Sequence, residues 1–179
     1  AAVLMLLLWP RTPVGTVLVA GKGLMLDGVL VGKDAVIYED TVITTEREDA
    51  AILLSSAKGR RGLLLRPNTK LRASTADDVT LQTGRVRVQS AKPGAPFVVR
   101  AADGRVVQSA PGTFAVETKP TGALVAVHQG TVNVTAAGGA VEVKDGFESE
   151  LANGTPSTPK VASATALIED RGDGSVWDA

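Results

Sequence analysis

Apolar and polar residues alternate along most of this chain, and no long stretch carries a helical period. The clearest run is Val79-Thr80-Leu81-Gln82-Thr83-Gly84-Arg85-Val86-Arg87-Val88. In a strand, alternate side chains share a face, so Val79 and Leu81 point one way and Val86 and Val88 would point the other if the strand ran straight. Gly84 sits at this change of phase. Glycine tolerates positive φ and close backbone approach, which predicts a bulge, corner or tight turn keeping both halves on one core. The pattern recurs around Gly130, from Val125 to Val134, and its first half recurs at Val141-Glu142-Val143-Lys144-Asp145-Gly146-Phe147. The copies share only apolar residues and glycine, which reads as fold-building rather than chemistry.

The other segments follow the same style. Residues 14–31 read as two strands with a turn at Gly21-Lys22-Gly23, and Asp27-Gly28 offers a second, tight hairpin turn. Residues 35–45 are strand-like around a Glu39-Asp40 turn, and residues 50–55 form a strand before the basic turn Lys58-Gly59-Arg60-Arg61-Gly62. The apolar run 62–65 leads into Arg66-Pro67-Asn68-Thr69. There proline fixes φ, Asn and Thr bond locally to backbone, and the chain resumes as strand at Leu71. Further strands are expected at 97–99, 105–107 and 113–118, separated by Gly and Pro. The class is all-β: a stack of many short strands, either β-solenoid-like or a β-sandwich.

Both ends differ from this body. Ala1 to Trp9 is an unbroken apolar run closed by Pro10. Nine residues fall short of the roughly 20 that span a bilayer as a helix. The run therefore reads as the distal end of a transmembrane anchor or signal segment, with Leu4, Leu6, Leu7, Leu8 and Trp9 as its membrane residues and Arg11 just outside. A buried first element of the domain is the alternative. After Glu150, ANGTPSTPK reads as a linker, and residues 161–179 add a strand, pack back, or lead to a further domain. The expected organisation is an anchor or signal end at 1–10, a β domain at 14–151, and a linker and tail at 152–179.

Composition narrows the function. Nineteen basic and nineteen acidic residues balance, so no global field recommends nucleic acid. Aromatics make up only 3% of the chain, too few for a stacking platform. With no cysteine and one histidine, thiolate chemistry and imidazole metal clusters are excluded. His128 alternates with valines in a strand, a place for a solvent-facing or hydrogen-bonded histidine rather than a catalytic base. Glu142, Asp145, Glu148 and Glu150 cluster around a turn and read as solvated charge. Asp170-Arg171-Gly172-Asp173-Gly174 lacks the spaced ligands of a calcium loop, and the sequons at Asn133 and Asn153 fit strand and turn preference. No catalytic residue, cofactor or metal site is expected.

Seven short phrases in fixed order resemble the FecR-type domain of bacterial cell envelopes. They are Gly15-Thr16-Val17-Leu18-Val19, Ile43-Thr44-Thr45, the leucine-rich strand ending in Pro67-Asn68-Thr69, and Leu81 through Gly84 to Val88. Then come Pro96-Phe97-Val98-Val99, Gly112-Thr113-Phe114-Ala115-Val116, and Val127 through Gly130 to Val134. The likeness covers residues 14–151. Two departures stand out: Gly112-Thr113-Phe114 is one residue shorter than in many relatives, consistent with a shift at a bulge, and the usual Asp-Gly-Ser turn is replaced by a longer basic loop at 55–62.

The resemblance implies a stack of short strands outside the inner membrane, in the bacterial periplasm. The first functional expectation is a non-catalytic protein-binding or scaffold domain of an envelope assembly, tethered by the N-terminal segment, with Lys58, Arg60 and Arg61 as a partner-binding loop. The alternative is the periplasmic sensor part of a transmembrane anti-sigma regulator. A weaker one is binding of cell-wall glycan, against which the scarcity of aromatics counts.

Overall fold

The computed structural model describes residues 11–92 and 94–163. Among these residues every regular element is a strand. The chain opens with β1 (Pro13–Val19), β2 (Met25–Leu26), β3 (Val29–Leu30), β4 (Val36–Tyr38) and β5 (Thr41–Thr44). Next come β6 (Ala50–Ser56), β7 (Gly59–Leu65), β8 (Lys70–Ala73), β9 (Asp78–Thr83), β10 (Arg85–Ser90), β11 (Phe97–Ala101) and β12 (Gly104–Gln108). The last third holds β13 (Gly112–Lys119), β14 (Gly122–Gln129), β15 (Thr131–Ala136), β16 (Gly139–Lys144), β17 (Phe147–Ala152), β18 (Thr155–Pro156) and β19 (Lys160–Val161).

These strands make two sheets. Sheet A runs β18-β17-β14-β13-β10-β7-β6-β1-β4, with β19 also on β17, and sheet B runs β16-β15-β12-β11-β9-β8-β5-β2-β3. From β1 and β2 onward both orders advance with the sequence, with β4 and β3 added outside them, because the chain lays one strand or a hairpin in one sheet and then crosses to the other. The path is that of a solenoid, while the cross-section is that of a sandwich. The only parallel pair among the described strands is β9 with β11. It arises because β10 is a single strand in sheet A: out through one strand and back restores the original direction, whereas a hairpin reverses it.

The core lies between the sheets, and the crossings explain the repeated pattern. Val79 and Leu81 enter it from sheet B, Val86 and Val88 from sheet A, and all four are buried. Gly84 makes that crossing at φ 90°, and Gly130, at φ 88°, carries β14 of sheet A into β15 of sheet B. Gly146, at φ 79°, stands between β16 and β17, so the half-copy also marks a crossing. The phase change in the sequence is thus a change of sheet. At the start of the chain, Asp27 and Gly28 both hold positive φ and close the two-residue β2–β3 hairpin, as such a dipeptide favours. At the other end, residues 155–156 and 160–161 pair with β17, so this part of the tail adds strands to sheet A.

Candidate functional site

Pro67, Asn68, Thr69 and Gly84 come together at the β9–β10 crossing. Exposed Pro67 and Asn68 form the tip, Asn68 at φ 58°, and Thr69 turns inward to complete burial. Its hydroxyl donates to the Arg85 carbonyl and accepts from the Arg85 amide, both at 3.1 Å. Its amide donates to Thr45 Oγ1 at 3.0 Å, and the Thr45 amide donates back to the Thr69 carbonyl at 2.9 Å. On the far side, the Gly84 amide donates to Thr118 Oγ1 at 2.8 Å, and the Thr118 amide donates to the Gly84 carbonyl at 2.9 Å. A corner between sheets interrupts both ladders, and these hydroxyls satisfy the backbone groups left over. A Cβ on Gly84 would lie 2.5 Å from both Thr69 Cα and Thr69 Oγ1, so the corner has no room for a side chain there. Thr45 already stood out in the Ile43-Thr44-Thr45 phrase; Thr118 gave no signal in the sequence.

Gly112, Thr113, Phe114 and Gly130 meet at the second crossing. A Cβ on Gly130 would come within 2.8 Å of the Pro111 carbonyl oxygen, and one on Gly112 would strike the Gln129 carbonyl. Thr113 and Phe114 are buried, and the β13–β14 register shifts between them, leaving His128 as the extra residue on β14. These eight residues occupy two structural corners and line no shared pocket.

The basic loop is shorter than expected, and its residues separate. β6 and β7 stay paired up to Ser56 and Gly59, so the turn is only Ala57-Lys58, with Arg60 and Arg61 inside the strand. Lys58 and Arg60 are exposed. Arg61 is not: with 3% of its surface accessible it points between the sheets. It lies 6.0 Å from the Phe97 ring centroid and donates to the carbonyls of Ala95 and Arg60 at 2.6 and 3.0 Å. Strand alternation gives the reason, since Arg61 pairs with Leu54 and shares the inward row with Leu63 and Leu65. Arg61 therefore drops out of the partner-binding set.

The remaining candidates offer no convergent chemistry. His128 is half-buried on the outer side of β14. Glu142 pairs with Lys144 at 3.3 Å; Glu148 is buried, 3.5 Å from Lys160 and accepting from the Ser163 amide. No group of three or more metal-ligating side chains occurs among the described residues, and no helix there is long and apolar enough to cross a membrane. Leu4, Leu6, Leu7, Leu8 and Trp9 lie outside the described residues.

The two outer faces differ. Across sheet B the register aligns Arg72, Thr80, Arg100, Arg105 and Thr135. Asp78 grips Arg100 through both carboxylate oxygens, at 2.6 Å to Nη2 and 3.1–3.2 Å to Nε, and that hydrogen bonding and charge raise the Arg100 pKa above the ordinary guanidinium value. Across sheet A the matching row is Ala51, Leu64, Arg87, Ala115 and Ala126, mostly small or apolar. The sheet B row is polar and exposed or half-buried, whereas Ala51, Ala115 and Ala126 of the sheet A row are buried.

The family described as FecR protein matches residues 40–133, just over half of the chain, and the chain belongs to that family. Two crystal structures of a candidate anti-sigma factor from Parabacteroides distasonis ATCC 8503 share the fold. They superpose with TM-scores of 0.54 and 0.55 at 20% identity, covering 69% of this chain in each case. The chain spans 61% of the length of that crystallised protein. No curated protein matches the sequence.

Proposed function

We propose that this chain is the extracytoplasmic sensor part of a FecR-type regulator, tethered through Ala1–Trp9 at the bacterial inner membrane, and that it acts by docking rather than by catalysis. Membership of the FecR family across residues 40–133 carries the reading, and the fold shared with a candidate anti-sigma factor supports it. The same findings favour this role over a pure envelope scaffold. A two-sheet stack held by interlocked corners is a rigid platform. The exposed pair Lys58 and Arg60 on the β6–β7 hairpin is a surface on which another protein can seat.

The scaffold reading remains the second, resting on the same FecR family match. Crosslinking in intact cells of the native bacterium, followed by identification of the attached proteins, separates the two. A sigma factor or an outer-membrane receptor among the adducts supports the sensor. A multiprotein envelope assembly containing neither supports the scaffold.

A further inference from the structure

The stack has two open ends, and they are unequal. Seven large apolar side chains are exposed among the described residues, and five of them, Val19, Val29, Leu30, Val36 and Tyr38, lie on β1–β4. β3 and β4 are the terminal strands of sheets B and A, so this apolar set caps the first rung. Val29 and Leu30 are 66% and 70% accessible, on the outer strand of the β2–β3 hairpin. Solvent-exposed apolar side chains gathered at one end mark a contact surface.

What contacts it follows from where the chain leaves the fold. Pro13 pairs with Tyr38, and the Glu39 amide donates to the Thr12 carbonyl at 2.9 Å. The described chain therefore begins beside Tyr38, at the same end as the exposed set, with the apolar run of the sequence preceding it. Charges there are mixed: Arg11 is tied to Asp27 and Lys22 to Glu48, Lys33 and Asp34 are exposed, and Glu39 is half-buried. The match is to an apolar boundary rather than to a strongly charged partner. β4 offers only three residues for edge pairing, a short seam for a second copy.

We propose that the first rung rests on the lipid surface, with Val29 and Leu30 entering the headgroup boundary and Tyr38 at its polar margin. The apolar end of the fold then adds a second membrane contact beside the tether. The inference rests on the tether proposed above. The fold would stand with its strand stack leading away from the bilayer, placing the β6–β7 hairpin and the later strands further out, toward envelope partners.

Because the chain has no cysteine, a single introduced thiol labels one place. Full-length protein carrying an environment-sensitive fluorophore at Leu30→Cys is bound to phosphatidylethanolamine/phosphatidylglycerol vesicles, with Lys144→Cys, at the other end of the stack, as control. The expected result is a blue shift and quenching by nitroxide-bearing lipid at position 30 and neither at 144. Val29→Asp/Leu30→Asp, both on exposed positions, should lower vesicle partition about tenfold. A bound protein whose position-30 probe stays aqueous overturns this inference and leaves the tether standing. No vesicle binding overturns both. A blue shift that appears without lipid and grows with protein concentration overturns it in favour of self-association.

Discussion

Replacing Gly84 by alanine tests the corner most sharply, because another glycine supplies the control. Gly84 and Gly146 hold nearly the same φ, 90° and 79°, and both stand at crossings. An alanine at either position is strained by roughly 1–3 kcal/mol. Their surroundings differ: a Cβ at Gly146 meets nothing within 4 Å, whereas one at Gly84 would lie 2.5 Å from Thr69 Cα and Oγ1 and 2.8 Å from the Asn68 carbonyl oxygen. Those neighbours belong to a hydrogen-bonded corner and cannot retreat without breaking the Thr69 bonds to Arg85. Overpacking of this kind costs about 1–3 kcal/mol beyond the strain. At about 2–4 °C per kcal/mol for a domain this size, Gly84→Ala should melt about 2–12 °C below Gly146→Ala. Thermal and urea unfolding followed by far-UV circular dichroism would measure both. Equal losses would show that positive φ alone explains the glycine and that the close approach to Thr69 is unimportant.

Thr69→Val should cost about 1–3 kcal/mol, because it removes the partner of the Arg85 amide and carbonyl while keeping the shape; Thr69→Ser should retain both bonds and most of the stability in the same unfolding assay. Asn68→Ala should cost about 1 kcal/mol, since alanine resists the left-handed conformation, whereas Asn68→Gly should be close to neutral. Arg61→Glu should destabilise by about 3–5 kcal/mol, since it places an unpaired buried carboxylate against the Ala95 carbonyl. Lys58→Glu/Arg60→Glu should leave the melting curve unchanged and weaken crosslinking to the partner; unaltered crosslinking would remove the hairpin from the docking surface.

Much of the architecture was legible because it rests on strict alternation. The shift of phase at Gly84 and Gly130 forces any strand to bend or change sheet, and the protein changes sheet at both. Asp27-Gly28 announced its own hairpin. Arg61 was misread because its charge suggests solvent, while its alternation with Leu63 and Leu65 places it inward, where two carbonyls and the face of Phe97 receive it. The length of the basic turn followed from the same error. Thr118 had no local signal, since its role as acceptor for the Gly84 amide depends on β10 and β13 being neighbours. The parallel β9–β11 pair was equally hidden: it depends on β10 remaining single, and sequence periodicity does not distinguish one strand in a sheet from two.

In the proposed sensor role, this fold passes an envelope signal to transcription. The most direct test of that role is an in-frame removal of residues 14–151 from the native gene, with transcripts profiled against the parent strain. Genes under an alternative sigma factor should change together, and restoring the intact sequence should reverse the change. Transcripts indistinguishable from the parent under envelope-inducing conditions would contradict the sensor role and leave the scaffold reading in its place.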